Sequence, residues 1–470
     1  MKYPFFMLLA ATVAATSLNS LSQETISLNP KQTLAREILG ELIGINTTVN
    51  MGSTKAAEAM AMRLRAAGFP DMDVQLTGPH SDHMNMVARY RGKGTSRPIL
   101  FIGHLDVVEA LRQDWSMEPF KLIEKDGYYY GRGTSDMKGN DAILIANLIR
   151  LKKEGFVPDR DIIVALTEDE EGGNYNGVDW LLNNRRDLID AEFCINPDGG
   201  GGDEKDGKEV LMSIQTSEKV YADFTLEAHN KGGHSSLPLK DNAIYHIAGA
   251  LNRLALYDFP IRLNETARVF FERSAATQTG PLKADMLAIS RLPTDTAIAN
   301  RLARISPYYN AQMRTTCVAT VLSGGHANNA LPQTAKANVN CRMLPDDDTA
   351  NVLNTLKSVV NDPQVTISCT NTSIQSPLSP LRKDVLDKLD KITNEMWPGV
   401  QVIPVMSTGA TDGRWLRKAG IPVYGISGIF TDSDDVRAHG RDERIGVKEF
   451  YNGVEFMYRF MKILTSGSQP

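Results

Sequence analysis

Beyond its first residues the chain holds no run of about 18 apolar residues, so its body carries no candidate membrane-crossing helix. Cysteine is scarce: Cys194, Cys317, Cys341 and Cys369 are widely spaced and form no C-x-x-C pair, which excludes a zinc ribbon or a thioredoxin-type redox centre. Neither sign of charge dominates. With 51 Lys and Arg against 56 Asp and Glu the net charge is -5, which gives a polyanion nothing to bind, so no nucleic-acid partner is expected. Internal repeats and low-complexity tracts are lacking too, and 42% apolar with 23% charged residues excludes collagen-like, coiled-coil and wholly disordered chains. What remains is an ordinary globular composition over 470 residues, enough for two or three domains.

Residues 1–22 place Lys2 ahead of an apolar run from Pro4 to Ala15 and then turn small and polar, the layout of a secretory signal peptide. A buried N-terminal helix is the other reading, the run being too short to span a bilayer. The first reading implies a secreted or periplasmic protein, a compartment that permits disulfides.

From Pro30 the pattern alternates helix and strand. Leu34 to Ile45 repeats its apolar residues at helical spacing, and a second helix ends at Gly68. Continuous apolar runs follow at Pro98 to Gly103, Asp161 to Thr167 and Ala191 to Asn196, the pattern of strands buried on both faces in an α/β sheet covered by helices. All three lead into acidic or histidine residues, and ligands of open α/β sheets bind beyond the carboxyl ends of strands. After about Lys219 the texture changes to a β-α-β-β-α-β order, an α+β unit with Tyr257 to Asn310 as a long, partly helical insertion within it. The α/β texture resumes after Ser376. The expected organisation is a catalytic domain in two parts, 30–217 and 377–470, around an inserted domain at 218–376.

Five segments carry chemistry. His104-Leu105-Asp106 follows the first buried strand, and the glycine-punctuated loop Gly131-Arg132-Gly133-Thr134-Ser135-Asp136 opens a helix, where Asp136 reads either as a placed ligand or as an N-cap. Glu168-Asp169-Glu170-Glu171 ends a strand, and four adjacent carboxylates repel one another unless cations or solvent intervene. Asn196-Pro197-Asp198 closes the third strand, and His439 precedes the last helix. Together they supply His, Asp, Glu, Asp and His from separate loops, a ligand set for two divalent ions bridged by one carboxylate. Mixed imidazole and carboxylate donors favour Zn2+, with Mn2+ or Co2+ as substitutes.

In order and spacing these motifs resemble the co-catalytic zinc exopeptidase and aminoacylase family, which includes carboxypeptidase G, carboxypeptidase S, succinyl-diaminopimelate desuccinylase, bacterial dipeptidases and carnosinases. The resemblance runs from about Leu34 to Leu464. It implies a mixed sheet with helices on both faces plus a ferredoxin-like lid. By the same resemblance Asp136 bridges two zinc ions, Glu171 and His439 complete one site and His104 and Asp198 the other, Asp106 orients His104, and Glu170 is the general base. A non-proline cis peptide after Asp136 is a further implied feature. In the inserted domain His234 matches the family's lid histidine, and Asn329 and Arg342 its carboxylate-holding pair. His80, His83, His229, His246 and His326 match no motif and read as ordinary surface or core residues.

The resemblance implies a hydrolase that cuts a peptide or related amide bond next to a free terminus of a small substrate. In the family the fourth-motif ligand tends to be aspartate in aminopeptidases and dipeptidases and glutamate in carboxypeptidases and deacylases, so Asp198 favours a dipeptidase or aminopeptidase. A carboxypeptidase or N-acyl-amino-acid amidohydrolase is the alternative, and an inactive receptor or scaffold relative a remote one. Family lids often pair two chains, which implies a homodimer through the lid unless the enlarged lid closes within one chain. Cys317 and Cys341 stand on the two strands of the expected hairpin, equidistant from its turn: either they form a cross-strand disulfide or all four thiols are free.

Overall fold

A computed structural model of the chain describes residues 28–291, 294–371 and 374–466. The segment 1–22, expected to be a signal peptide, lies outside the described residues. The first helix, Pro30–Gly44, starts where Asn29 accepts the backbone N–H groups of Lys31 and Gln32 while Gln32 reaches back to Asn29, with Pro30 in the first turn.

The central sheet has six strands in the order Val74–His80, His83–Tyr90, Ile162–Thr167, Ile99–His104, Phe193–Ile195 and Val423–Tyr424. The first two and the His83–Tyr90 to Ile162–Thr167 pair are antiparallel, the rest parallel, so the sheet is mixed. The strands Ile162–Thr167, Ile99–His104 and Phe193–Ile195 are buried along their whole length because both faces are covered. Ile99, Phe101, Val164 and Ile195 pack under the helices Pro30–Gly44, Thr54–Ala66, Lys138–Lys153, Lys383–Met396 and Val447–Thr465, while Leu100, Ile102, Ile163 and Cys194 pack under Gly177–Asn184 and Gly413–Lys418. In the parallel pair His104 lies opposite Thr167, so the His104 turn and the Glu168–Glu171 segment leave the sheet at the same end.

A second sheet, Gln401–Ser407, Lys208–Glu218, Gly201–Lys205 and Phe430–Asp432, was not expected from the sequence. It explains the Tyr257 to Asn310 stretch. Among the described residues that stretch is partly helical, as expected, but its helices bury Ala267, Phe270, Phe271, Met286, Ala299 and Leu302 against Leu211, Ile403 and Val405 of this second sheet rather than against the β-α-β-β-α-β unit.

The β-α-β-β-α-β unit itself forms an antiparallel sheet in the order Val365–Cys369, Val220–His229, Thr334–Met343, Thr316–Gly324, with the helices Ala243–Ala255 and Thr349–Val360 on one face. This is the ferredoxin-like arrangement. Cys317 pairs directly with Cys341 across the two strands and the two are disulfide-bonded, which decides between the two readings of the thiols. Cys194 is free and buried, Cys369 free and half-buried.

Candidate metal centre

His104 is the last residue of its strand, buried, and has both ring nitrogens engaged. Nδ1 faces the Asp106 carbonyl oxygen at 3.0 Å and Nε2 faces Asp136 Oδ1 at 3.1 Å. Donation from Nδ1 to that carbonyl leaves Nε2 as the ring nitrogen that either donates to Asp136 when protonated or would ligate a metal when neutral. The Asp106 carboxylate lies 3.7 Å from His104 Nδ1 and accepts the backbone N–H groups of Glu170 at 3.2 Å and Glu171 at 2.9 Å. Asp106 therefore ties the histidine turn to the acidic loop.

Asp136 is delivered by a loop whose backbone converges on one buried carboxylate. Glu443 Oε1 accepts the N–H of Ser135 at 2.8 Å and of Asp136 at 2.9 Å, and Oε2 accepts the N–H of Gly133 at 2.9 Å and Arg132 Nη1 at 2.7 Å. Gly133 is required: its φ of +90° is left-handed, and a Cβ there would meet the Lys138 side chain at 2.9 Å. The peptide between Asp136 and Met137 is cis, as the resemblance implied.

His439 closes the other side. Its Nε2 is 3.1 Å from Asp136 Oδ2 and 2.7 Å from Glu171 Oε1, so the two Asp136 oxygens face different histidines. One donor atom each of His104, Asp136 and Glu171 falls within a 4.8 Å group. Asp198 sits in the turn Pro197–Gly199, near enough for the Asp136 charge to be the largest influence on its carboxyl after burial.

The electrostatics are those of a site short of positive charge. Burial, then the Asp136 charge, pushes Asp198 up to about 7, and burial with the Asp198, Asp412 and Glu171 charges holds Glu170 well above the ordinary carboxylate range. Glu171 is raised by burial and by Asp136. The Asp136 hydrogen bond and the Glu171 charge lift His439 to about 9, and His104 is raised by Asp136 and Asp106 although its burial opposes this. The carboxylates of Asp136, Glu171 and Asp198 and the imidazoles of His104 and His439 are donors of the type that hold divalent cations, and the set fits a pair of them.

The sequence reading missed two buried acids. Glu443 lies four residues after His439, inside that histidine's motif, and nothing local in the sequence marks it. Asp412 accepts Asn176 Nδ2 at 2.6 Å and Thr167 Oγ1 at 3.2 Å, bracing the start of the acidic loop, and its signal was another glycine-punctuated acid, Gly409-Ala410-Thr411-Asp412-Gly413. His83, read as ordinary, stands 2.8 Å from Glu168.

The inserted unit's residues stand apart. His234 and Ala330 pair in a two-residue ribbon, and the N–H of Ser235 donates to the Asn329 carbonyl at 3.0 Å, which brings His234 and Asn329 together on an exposed edge. Arg342 Nη1 donates to the Thr408 carbonyl at 3.3 Å, and its guanidinium lies over the Tyr221 ring at 4.7 Å. Among the described residues no hydrogen bond or ion pair joins His234, Asn329 or Arg342 to the Asp136 cluster.

The model of peptidase family M20/M25/M40 matches residues 100–463. A probable carboxypeptidase S-like 2 of Dictyostelium discoideum is 30% identical over 397 residues, 80% of this chain and 74% of that protein. The human N-fatty-acyl-amino acid synthase/hydrolase PM20D1 is 28% identical over 382 residues, 80% of this chain and 75% of that protein. The crystal structure of the M20 family metallo-carboxypeptidase Sso-CP2 from Sulfolobus solfataricus superposes with a TM-score of 0.67 at 19% identity, covering 91% of this chain and 98% of that one, and shares the fold.

Proposed function

The chain belongs to peptidase family M20/M25/M40 and is a metal-dependent peptidase or amidohydrolase, and we propose that within this family it cuts the amide bond on the amino side of a residue with a free α-carboxylate. N-acyl amino acids and the C-terminal bonds of small peptides share that chemistry. The names of the two relatives support this reading over one that requires a free amine, and the aspartate at position 198 is what favours the dipeptidase reading. The observation that carries the metallohydrolase reading is Asp136: one oxygen 3.1 Å from His104 and the other 3.1 Å from His439, the disposition of a carboxylate shared by two ions.

His104 and Asp198 would hold one divalent cation, Glu171 and His439 the other, with Asp136 between them. Bound there, zinc-class ions supply electrophilic polarisation of the scissile carbonyl and lower the pKa of water towards about 7. Glu170, next in chain to a ligand and held by its N–H on Asp106, takes a proton from water and returns it to the leaving nitrogen. His234 donates to the developing oxyanion, and Asn329 and Arg342 hold the substrate carboxylate, so the inserted unit acts as a lid that must approach the cluster, in the same chain or from a second one. A secreted or periplasmic location is supported by the N-terminal apolar run and by the Cys317–Cys341 disulfide.

The test is a panel of N-acyl amino acids, their C-terminal amides and free dipeptides, assayed with added zinc and with chelator. Cleavage of the free acids with loss of activity on amidation is expected. Cleavage confined to substrates with a free amine would overturn the substrate assignment and leave a dipeptidase.

A further inference from the structure

A second group of metal-ligating side chains meets among the described residues. His83, Glu168 and Asp169 each place one donor atom within a 4.8 Å group. His83 opens the strand His83–Tyr90, and Glu168 follows directly on Ile162–Thr167, its neighbour in the sheet, so the pairing of these strands brings the residues together. The Glu168 side chain is fully buried, at 0% exposure, and His83 is 14% exposed.

What distinguishes the group from an ordinary acidic loop is that its buried atoms do not satisfy one another. His83 Nδ1 is 2.8 Å from Glu168 Oε2 and 3.6 Å from Asp169 Oδ1, yet neither His83 Nδ1 nor either Glu168 oxygen makes a hydrogen bond of acceptable direction. Buried polar atoms without partners are rare, and three on two neighbouring side chains call for a bound group. Glu168 is buried beside the like charges of Asp169, Asp106 and Asp82, and one His83 ring nitrogen stands 2.8 Å from Glu168 and 3.6 Å from Asp169 Oδ1, surroundings that a cation would satisfy. Asp169 is held for the purpose: Oδ2 accepts the Tyr175 N–H at 3.1 Å, leaving Oδ1 on the His83 side. Tetrahedral bonds of about 2.0–2.2 Å set neighbouring donors roughly 3.3–3.6 Å apart, a spacing within small shifts of that seen here.

We propose that His83, Glu168 and Asp169 form a further divalent-cation site of the zinc class, separate from the Asp136 centre. One imidazole and two carboxylates suit zinc, with a fourth position left to water through the partly exposed His83 side. An ion there clips the first residue of one strand to the start of the loop that carries Glu170 and Glu171, so its task is to fix that loop. The site is independent of the substrate reading above.

The experiment counts ions. Full-length protein is equilibrated by dialysis against Zn2+ alone and analysed for metal, beside His83→Ala and Glu168→Leu, each made in the native and in the Asp136→Ala background. Each substitution should remove one ion per chain relative to its own parent, in both backgrounds, and zinc should raise the melting temperature of Asp136→Ala but not of Asp136→Ala with His83→Ala. Equal zinc content in parent and His83→Ala overturns the proposal. Because Glu168 is buried its variant is first checked by circular dichroism, and His83→Ala, altered near the surface, carries the test if that variant does not fold. A failure of the Asp136 assignment would appear separately, as Asp136→Ala retaining every ion of the native protein.

Discussion

Replacing Glu443 with glutamine is a sharp probe of how the Asp136 loop is held. The carboxylate is fully buried and serves four donors, two on each oxygen: Ser135 and Asp136 on one, Gly133 and Arg132 on the other. An amide has one acceptor oxygen, so either orientation sets an NH2 group against two donors and leaves the Arg132 guanidinium without its counter-charge. Breaking one partner of a buried ion pair costs about 3–5 kcal/mol. Arg132 keeps the carbonyl oxygens of Glu109, His439 and Gly440 at 3.1–3.4 Å and lies over the Trp115 ring, which places the expected loss near the lower end, about 3 kcal/mol. Urea unfolding in excess chelator reads this without the contribution of bound metal. Because Arg132 also holds the His439 carbonyl, zinc affinity should fall in the same variant. A loss below about 1 kcal/mol with unchanged zinc affinity would refute the reasoning, because it would mean that the loop keeps its shape without the charge.

Reduction of the Cys317–Cys341 bond, or its replacement by two serines, should destabilise the folded chain by about 3.5 kcal/mol, the chain-entropy estimate for a loop closed across a separation of 24, measured by denaturant unfolding with and without reductant. Lys219, whose Nζ donates to the Arg314 and Arg342 carbonyls, is lowered by burial to about 7. Its unfolded value is the ordinary lysine one, so between about 7 and 10.5 the unfolded chain binds more protons and stability rises with pH across that window. Lys219→Met should flatten that rise in unfolding curves at pH 7 and pH 9. In steady-state kinetics His234→Ala should lower kcat by about 100-fold or more with metal retained, as for a lost oxyanion donor, whereas Arg342→Ala should chiefly raise KM for free-acid substrates.

The strand ends were legible because the physics there is local. Pro98 to Gly103 and Asp161 to Thr167 are buried runs, and His104 and the Glu168–Glu171 segment follow at once, so a run of sequence names both the buried strand and the side chains at its mouth. The second sheet was not legible. Gly201–Lys205 is glycine and charge, and Gln401–Ser407 contains Pro404, tolerated because that strand is at the sheet edge and is held by parallel pairing with Lys208–Glu218, far away in sequence. Helical spacing identified helices between Tyr257 and Asn310 but could not say which surface their apolar faces meet, and they meet that unseen sheet. Glu443 and Asp412 escaped for a related reason: an acid that braces a loop looks in sequence like any exposed carboxylate, and only the converging N–H groups of Gly133, Ser135 and Asp136 reveal it.

Neighbouring glutamates give the most direct measurement of the central claim. Glu170 is assigned to proton transfer and Glu171 to the metal, so Glu170→Gln and Glu171→Gln are to be compared for zinc content and for kcat on the same N-acyl amino acid. The account predicts that Glu170→Gln keeps its zinc and loses at least about 100-fold in kcat, while Glu171→Gln loses zinc affinity together with activity. Reversed phenotypes, or a Glu170→Gln enzyme that retains near-native turnover, would contradict it.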